Sequence, residues 1–200
     1  MRITYNSPVI LTFTLVCTAV HTVNVLTGGF ITHYFFALDG NTNLTDPLDY
    51  LRLFSHIVGH GNWAHLIGNF SFILLIGPMV EEKYRSSTLL LMVLVTALAT
   101  GLMNNFLFDS GLLGASGVVF MLILLGSFTN IRSGQIPLTF ILVVLLYLGK
   151  EVVQIFDHDN ISQFAHIVGG IFGALFGFLL GGKPATEEKT SPAGVDKWSA

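Results

Sequence analysis

Charge is scarce in this chain. Lysine, arginine, aspartate and glutamate make up 10% of its 200 residues, where soluble domains carry about 25%. With 52% hydrophobic residues and a mean hydropathy of +0.71, the composition is that of an integral membrane protein. Cysteine is scarcer still: the single Cys17 lies inside an apolar run, so an intramolecular disulfide and a cysteine-rich metal site are both excluded. Basic residues are too few and too scattered to neutralise a run of phosphates, and the net charge is -3, so nucleic acid is not an expected partner.

What the chain has instead is apolar runs. They lie at Pro8 to Leu26, Trp63 to Val80, Thr88 to Leu107, Leu112 to Phe128, Ile136 to Leu148 and Phe164 to Leu180, and they predict an all-α membrane protein with six transmembrane helices. Several runs fall short of the roughly 20 residues that cross a hydrocarbon core, so tilting, local thinning or helices that start below the surface are expected. The first run is longer than the apolar stretch of about 7 to 15 residues in a signal peptide and lacks a small-x-small cleavage site; it reads as a retained helix. A cytoplasmic N-terminus places Arg2, Lys83, Arg85, Arg132, Lys183, Lys189 and Lys197 inside and leaves Arg52 and Lys150 outside, which is the orientation the positive-inside rule favours. Both termini are then cytoplasmic. The segment from Gly28 to Gly61 is the one outer connection long enough for structure of its own. Residues 1–181 form a single helical domain in this reading, and 182–200 a polar, flexible tail too small for a second one.

With that topology the second, fourth and sixth spans run in the same direction, and each has its polar residues near its start: His65 and Asn69, then Ser116, then His166. An unpartnered polar group facing hydrocarbon costs on the order of a few kcal/mol, so these groups are expected to turn inward and meet. His65 and Asn69, four residues apart, share one helix face. The inventory suits acyl transfer. A histidine can take a serine proton and return it to a leaving amine; Asn69, His65 and the Ser116 backbone N–H at a helix start can donate to an oxyanion. Gly114 and Gly117, flanking the serine in "GASG", allow a tight turn and a close approach. Each residue also has a plainer reading: small residues line helix crossings, and His65 and Asn69 could be hydrogen-bonding glue. His56, His60 and His65 could in principle gather a metal, but no cysteine or inward carboxylate joins them, so neither metal nor cofactor is expected. His21, His33 and His158 have no motif partners and read as incidental.

Three motifs, "HGNWAHLIGN" at 60–69, "GASG" at 114–117 and "AHIVGGIFG" at 165–173, together resemble the rhomboid family of intramembrane serine proteases. The resemblance extends over residues 8–181, with the motifs in the family's order. It implies a six-helix rhomboid bundle, Ser116 as nucleophile, His166 as its general base, His65 and Asn69 as oxyanion partners, and His60 in support. It implies single-span membrane proteins as substrates, lipids as surroundings, and a bacterial cytoplasmic membrane as the setting. Arg52 matches the family's first-loop arginine, and Glu81 a glutamate at the inner end of the second helix. Three positions depart from the pattern. Leu51 stands where many members have tryptophan, Phe120 where some have a tyrosine that stacks on the histidine, and Arg85 where glycine is frequent, which suggests a locally different inner turn. A proteolytically inactive relative that binds and routes membrane clients would be expected to lack the serine or the histidine; both are present. A channel or transporter predicts repeated broken helices, and none is visible.

Overall fold

A computed structural model describes residues 3–40, 43, 45–108, 111–127, 138–148 and 160–180. The polar tail expected at 182–200, His158, and Lys150 and Arg132 lie outside the described residues. Among those described, the regular structure is helical. It comprises α1 (Pro8–Leu26), α2 (Phe30–Phe35), α3 (Pro47–Ser55), α4 (Trp63–Tyr84), α5 (Ser86–Leu107), α6 (Ser116–Ser127), α7 (Leu138–Val143), which continues into a π-helical turn at Val144–Leu148, and α8 (Asn160–Leu180).

Why α6 lies at the centre follows from its sequence. The run from Gly117 to Leu125 is apolar on every side and buried throughout, and a helix without a polar face must be surrounded by others. It packs against α4, α5, α7 and α8, most extensively along α8. The outer helices show the converse. Leu75 of α4, Leu91 of α5 and Phe178 of α8 expose 71%, 61% and 76% of their surface, an apolar exterior suited to lipid rather than water. Among the described residues four helices are long and apolar enough to span a membrane: α1, α4, α5 and Gln163–Leu180 of α8. The 12 described residues of α6, Ser116–Ser127, rise about 18 Å. The protein is an integral membrane protein.

The run expected from Leu112 is helical only from Ser116, because Leu112 is pinned in extended backbone. Its N–H donates to the Leu38 carbonyl at 2.8 Å, and the Leu38 N–H returns the bond at 3.1 Å. The long connection after α1 holds two short helices. Asn24 Oδ1 accepts the Thr32 N–H in the first turn of α2 at 2.8 Å. Asp46 caps α3 by accepting the Leu48 N–H at 2.9 Å, with Pro47 as its first residue, a pairing suited to a helix start. Arg52 ties the two helices together, with Nε and Nη2 donating to the Tyr34 carbonyl at 3.1 and 2.5 Å and Nη1 pairing with Asp49 at 2.5 Å. Leu51, where the resemblance expects tryptophan, is exposed, so the described anchor is the arginine.

At the far end of α4, Glu81 is buried and does what a capping residue normally does. Ser7, before α1, makes no side-chain cap bond. Glu81 Oε1 and Oε2 instead accept the Val9 and Ile10 N–H groups, each at 3.0 Å, and Oε1 also accepts the Ser86 hydroxyl at 2.7 Å. One carboxylate thus joins α4 to the starts of α1 and α5. Between α4 and α5 stands a single residue, Arg85, at φ 69° and ψ 151°, the locally different turn that the sequence suggests.

Candidate active site

The fold brings the three motifs to one end of the bundle. Gly169 and Gly173, one turn apart on α8, lie directly on α6: a Cβ at Gly169 would collide with the Gly117 carbonyl oxygen, and one at Gly173 with that of Met121. Such backbone-to-backbone contact is open only to the smallest residue. It sets the second turn of α8 beside the first turn of α6, where a Cβ at Gly117 would lie 3.3 Å from the Ala165 oxygen. Ser116 and His166 are the neighbours of those two residues in the chain. The Phe120 ring, one turn after Ser116, stacks on the His166 imidazole with centroids 4.3 Å apart and planes within 6°. A phenyl ring therefore supplies the stacking platform without a hydroxyl. Ser116 itself is half-buried.

The loop ahead of Ser116 is held against α4 by Gly114. Its N–H donates to the His56 carbonyl at 2.9 Å. Its φ of +112° is one that only glycine adopts without strain, and a Cβ there would sit 2.5 Å from His65 Cε1 and 3.6 Å from Asn69 Nδ2. Gly114 is thus required twice over, and it presses the serine loop onto the His65 and Asn69 face expected from their spacing. His65 is also within Coulombic reach of His166. α6 makes its first internal bond from the Val119 N–H to the Ala115 carbonyl at 3.0 Å, so the N–H groups of Ser116, Gly117 and Val118 precede the helical ladder and carry its positive end.

His60 orients Asn69. Its Nδ1–H donates to the Val58 carbonyl at 3.1 Å, because a carbonyl can only accept. That leaves Nε2 as the acceptor for Asn69 Nδ2, also at 3.1 Å. One of the two amide N–H groups of Asn69 is thereby committed, and the other remains a donor. His60 lies in the connection before α4, where burial above all, and then the neighbouring His65 and His21, push its pKa down to about 4, against the bond to Val58, which raises it. His60 is therefore neutral near pH 7, as the acceptor role of Nε2 needs. His56 turns elsewhere: its Nε2–H donates to the Ala97 carbonyl of α5 at 3.0 Å, and burial holds its pKa near 4. With His56 and His60 each bound to carbonyls, the three-histidine gathering considered from sequence is not assembled. Among the described residues no group of three histidine, cysteine or carboxylate side chains could hold a metal ion.

One residue read as incidental is not. His21 of α1 is 1% exposed, its Nδ1–H donates to the His60 carbonyl at 3.1 Å, and its ring meets Trp63 edge-on at 4.6 Å. No sequence spacing could reveal it, since its partner is a backbone oxygen 39 positions away. The usable signal was a polar residue late in a long apolar run. His33, by contrast, is exposed on α2.

A family model described as the Rhomboid domain matches residues 47–183. The chain is 26% identical over 131 residues to the rhomboid protease GlpG of Haemophilus influenzae, covering 64% of this chain and 68% of that one. It is 25% identical over 175 residues to the rhomboid protease GlpG of Yersinia pestis, covering 86% of this chain and 62% of the relative. Against RHOMBOID-like protein 4 of Arabidopsis thaliana it is 31% identical over 129 residues, covering 60% of this chain and 32% of that one. The matched domain takes in α3 to α8 and with them the serine loop, the histidine-asparagine face and the glycine contact that joins α6 to α8: the chain belongs to the rhomboid family.

Proposed function

We propose that the protein is an intramembrane serine endopeptidase of six spans with both termini cytoplasmic, cutting single-span membrane proteins near the outer surface of a bacterial cytoplasmic membrane. The observation that carries this reading is the glycine-mediated contact that sets the His166 turn of α8 beside the first turn of α6, with Phe120 stacked on His166. Ser116 Oγ attacks the scissile carbonyl while His166 accepts its proton; the tetrahedral oxyanion is met by the backbone N–H of Ser116 and by donors from Asn69 and His65. His166 then protonates the leaving amine, and a water, deprotonated by the same imidazole, hydrolyses the acyl-enzyme. Carbonyls in a helix are already hydrogen-bonded, so a substrate span must unwind locally before it is attacked. Glycine, proline or polar residues in the outer part of that span favour cutting, and leucine in their place slows it by lowering the unwound fraction.

The test is cleavage of a model single-span substrate by purified protein. Ser116→Ala, His166→Ala and the double change should each fall to background without additive loss, because the two residues act as a unit. Asn69→Ala and His65→Ala should each lose about 10² to 10³ in turnover rather than all of it. Robust turnover by pure Ser116→Ala protein would end the assignment.

A further inference from the structure

We infer that His21 is a positioning residue for the oxyanion donor Asn69, acting across two helices through His60. The inference rests on the protease reading for its effect on rate, but not for its geometry. His21 Nδ1–H holds the His60 carbonyl, while the His60 side chain is held by Val58 and in turn holds Asn69 Nδ2. Each link is about 3.1 Å, within the ordinary range for a hydrogen bond. The connection before α4 is irregular from Gly59 to Asn62, so the His60 backbone has no helical ladder to fix it. His21, on the rigid α1, supplies that fixed point, and the Trp63 ring closes its other side in the first turn of α4. If the His60 carbonyl moves, its imidazole moves with it, and the Asn69 amide loses the acceptor that aims it at the space beside Gly114.

A histidine is well suited to this place. It offers one donor on a stiff ring with two rotatable bonds, and it fills the volume between α1 and Trp63. Phenylalanine keeps the ring and the contact with Trp63 but loses the N–H. Asparagine keeps a donor near the Nδ1 position but loses the ring. The two substitutions therefore separate packing from hydrogen bonding. Leucine serves as a second variant without the donor should phenylalanine prevent folding.

Full-length protein in detergent is compared as wild type, His21→Phe, His21→Leu and His21→Asn, each also in an Asn69→Ala background. Two quantities are read: kcat and KM on the model substrate, and the Asn69 side-chain amide resonances in protein labelled with ¹⁵N-asparagine. His21→Phe should lower kcat about tenfold with KM unchanged, in keeping with the steep dependence of rate on small misplacements. It should also shift the Asn69 amide signals, and His21→Asn should restore both. In the Asn69→Ala background His21→Phe should cost nothing further, since the group it positions is gone. Wild-type kcat with unshifted Asn69 signals in His21→Phe would overturn the inference. So would a tenfold loss that persists in the Asn69→Ala background, which would mark a packing role. Absence of turnover in the wild type would remove the protease reading alone; the Asn69 signals would then decide whether His21 sets that side chain.

Discussion

Glu81 and Asn69 are both buried polar side chains of α4, three helical turns apart on one element, and their surroundings differ in kind. Glu81 is saturated: two backbone N–H groups and a hydroxyl converge on its carboxylate. Asn69 commits one N–H to His60 and faces a glycine whose missing Cβ leaves room beside it. A buried acceptor that is fully bonded adds stability and offers nothing to a ligand, whereas a donor with capacity left is costly to the fold and available to chemistry. The two ends of the bundle divide along this line. One is a clasp for three helix ends; the other keeps a hydroxyl, neutral imidazoles and helix-start N–H groups around glycines.

The largest effect should come from the contact that creates the second end. A methyl group at Gly169 cannot fit against the Gly117 carbonyl, so Gly169→Ala must part α6 from α8 and with them Ser116 from His166. Turnover should fall by about 10² or more, the order associated with misplacement by 1 Å, and overpacking should cost about 1 to 3 kcal/mol of stability. Gly68, on α4 with open space around it, is the control: Gly68→Ala should leave turnover intact and stabilise the helix by about 0.5 to 1 kcal/mol. Equal turnover in the two variants would break the claim that backbone contact between α6 and α8 sets the catalytic distance.

The clasp should fail in the opposite sense. Glu81→Ala strands the Val9 and Ile10 N–H groups and the Ser86 hydroxyl, and unsatisfied buried groups cost about 1 to 3 kcal/mol each, so a loss of about 3 kcal/mol is expected in equilibrium unfolding in mild detergent. Turnover measured well below the unfolding transition should be unchanged, because the Ser116 end is untouched. A variant with normal stability and lost turnover would show the two ends to be coupled rather than divided.

Much of this division was legible in the sequence, though unevenly. The apolar run from Pro8 to Leu26 coincides with α1, because a proline start and an unbroken apolar stretch mark a spanning helix without tertiary help. The runs beginning at Trp63 and Thr88 proved longer at their polar ends, reaching Tyr84 and beginning at Ser86, since charged and hydroxyl residues can extend a helix past the apolar limit that a run detects. The run at Leu112 hid an extended segment, as pairing with Leu38 is a tertiary fact with no local pattern. The short helices α2 and α3 escaped for a related reason: α2 spans six residues and is fixed by Asn24 from outside itself. That His65 and Asn69 share a face beside Gly114 was legible because they lie four residues apart on one helix; the contact of His21 was not, because its partner is a carbonyl.

Acidification should also tell the ends apart. His60 and His56 are held near pKa 4 chiefly by burial, below the value of about 6.5 in an unfolded chain. Unfolded protein therefore binds protons first as the pH falls, so the stability these neutral imidazoles contribute is complete above about pH 6.5 and declines as the pH falls towards 4. Between pH 7 and 5 each should account for a loss of about 2 kcal/mol. Unfolding midpoints across that range should show the slope, and His56→Gln should reduce it by about half. Each single variant should keep about half of the slope, and a slope undiminished in both His56→Gln and His60→Gln proteins would assign the acid sensitivity elsewhere.

The smallest effect expected is a gain, and it lies at the clasp end. Arg85 joins α4 to α5 at φ 69° and ψ 151°, a backbone conformation reserved almost entirely for glycine. A non-glycine residue there costs on the order of 1 to 3 kcal/mol, from which the lost backbone entropy of a glycine in the unfolded chain, about 0.5 to 1 kcal/mol, must be subtracted. Arg85→Gly should therefore stabilise the protein by about 1 kcal/mol. Arg85→Ala is the comparison, because it removes the same charge and side chain but keeps the Cβ that causes the strain, and it should bring no gain. Turnover should stay at the wild-type level in both, since Arg85 is exposed at the end of the bundle away from Ser116. If alanine stabilised as much as glycine, the gain would come from losing the guanidinium rather than from the backbone. If glycine destabilised, the single-residue turn would be held by the arginine side chain, and the clasp would comprise more than Glu81.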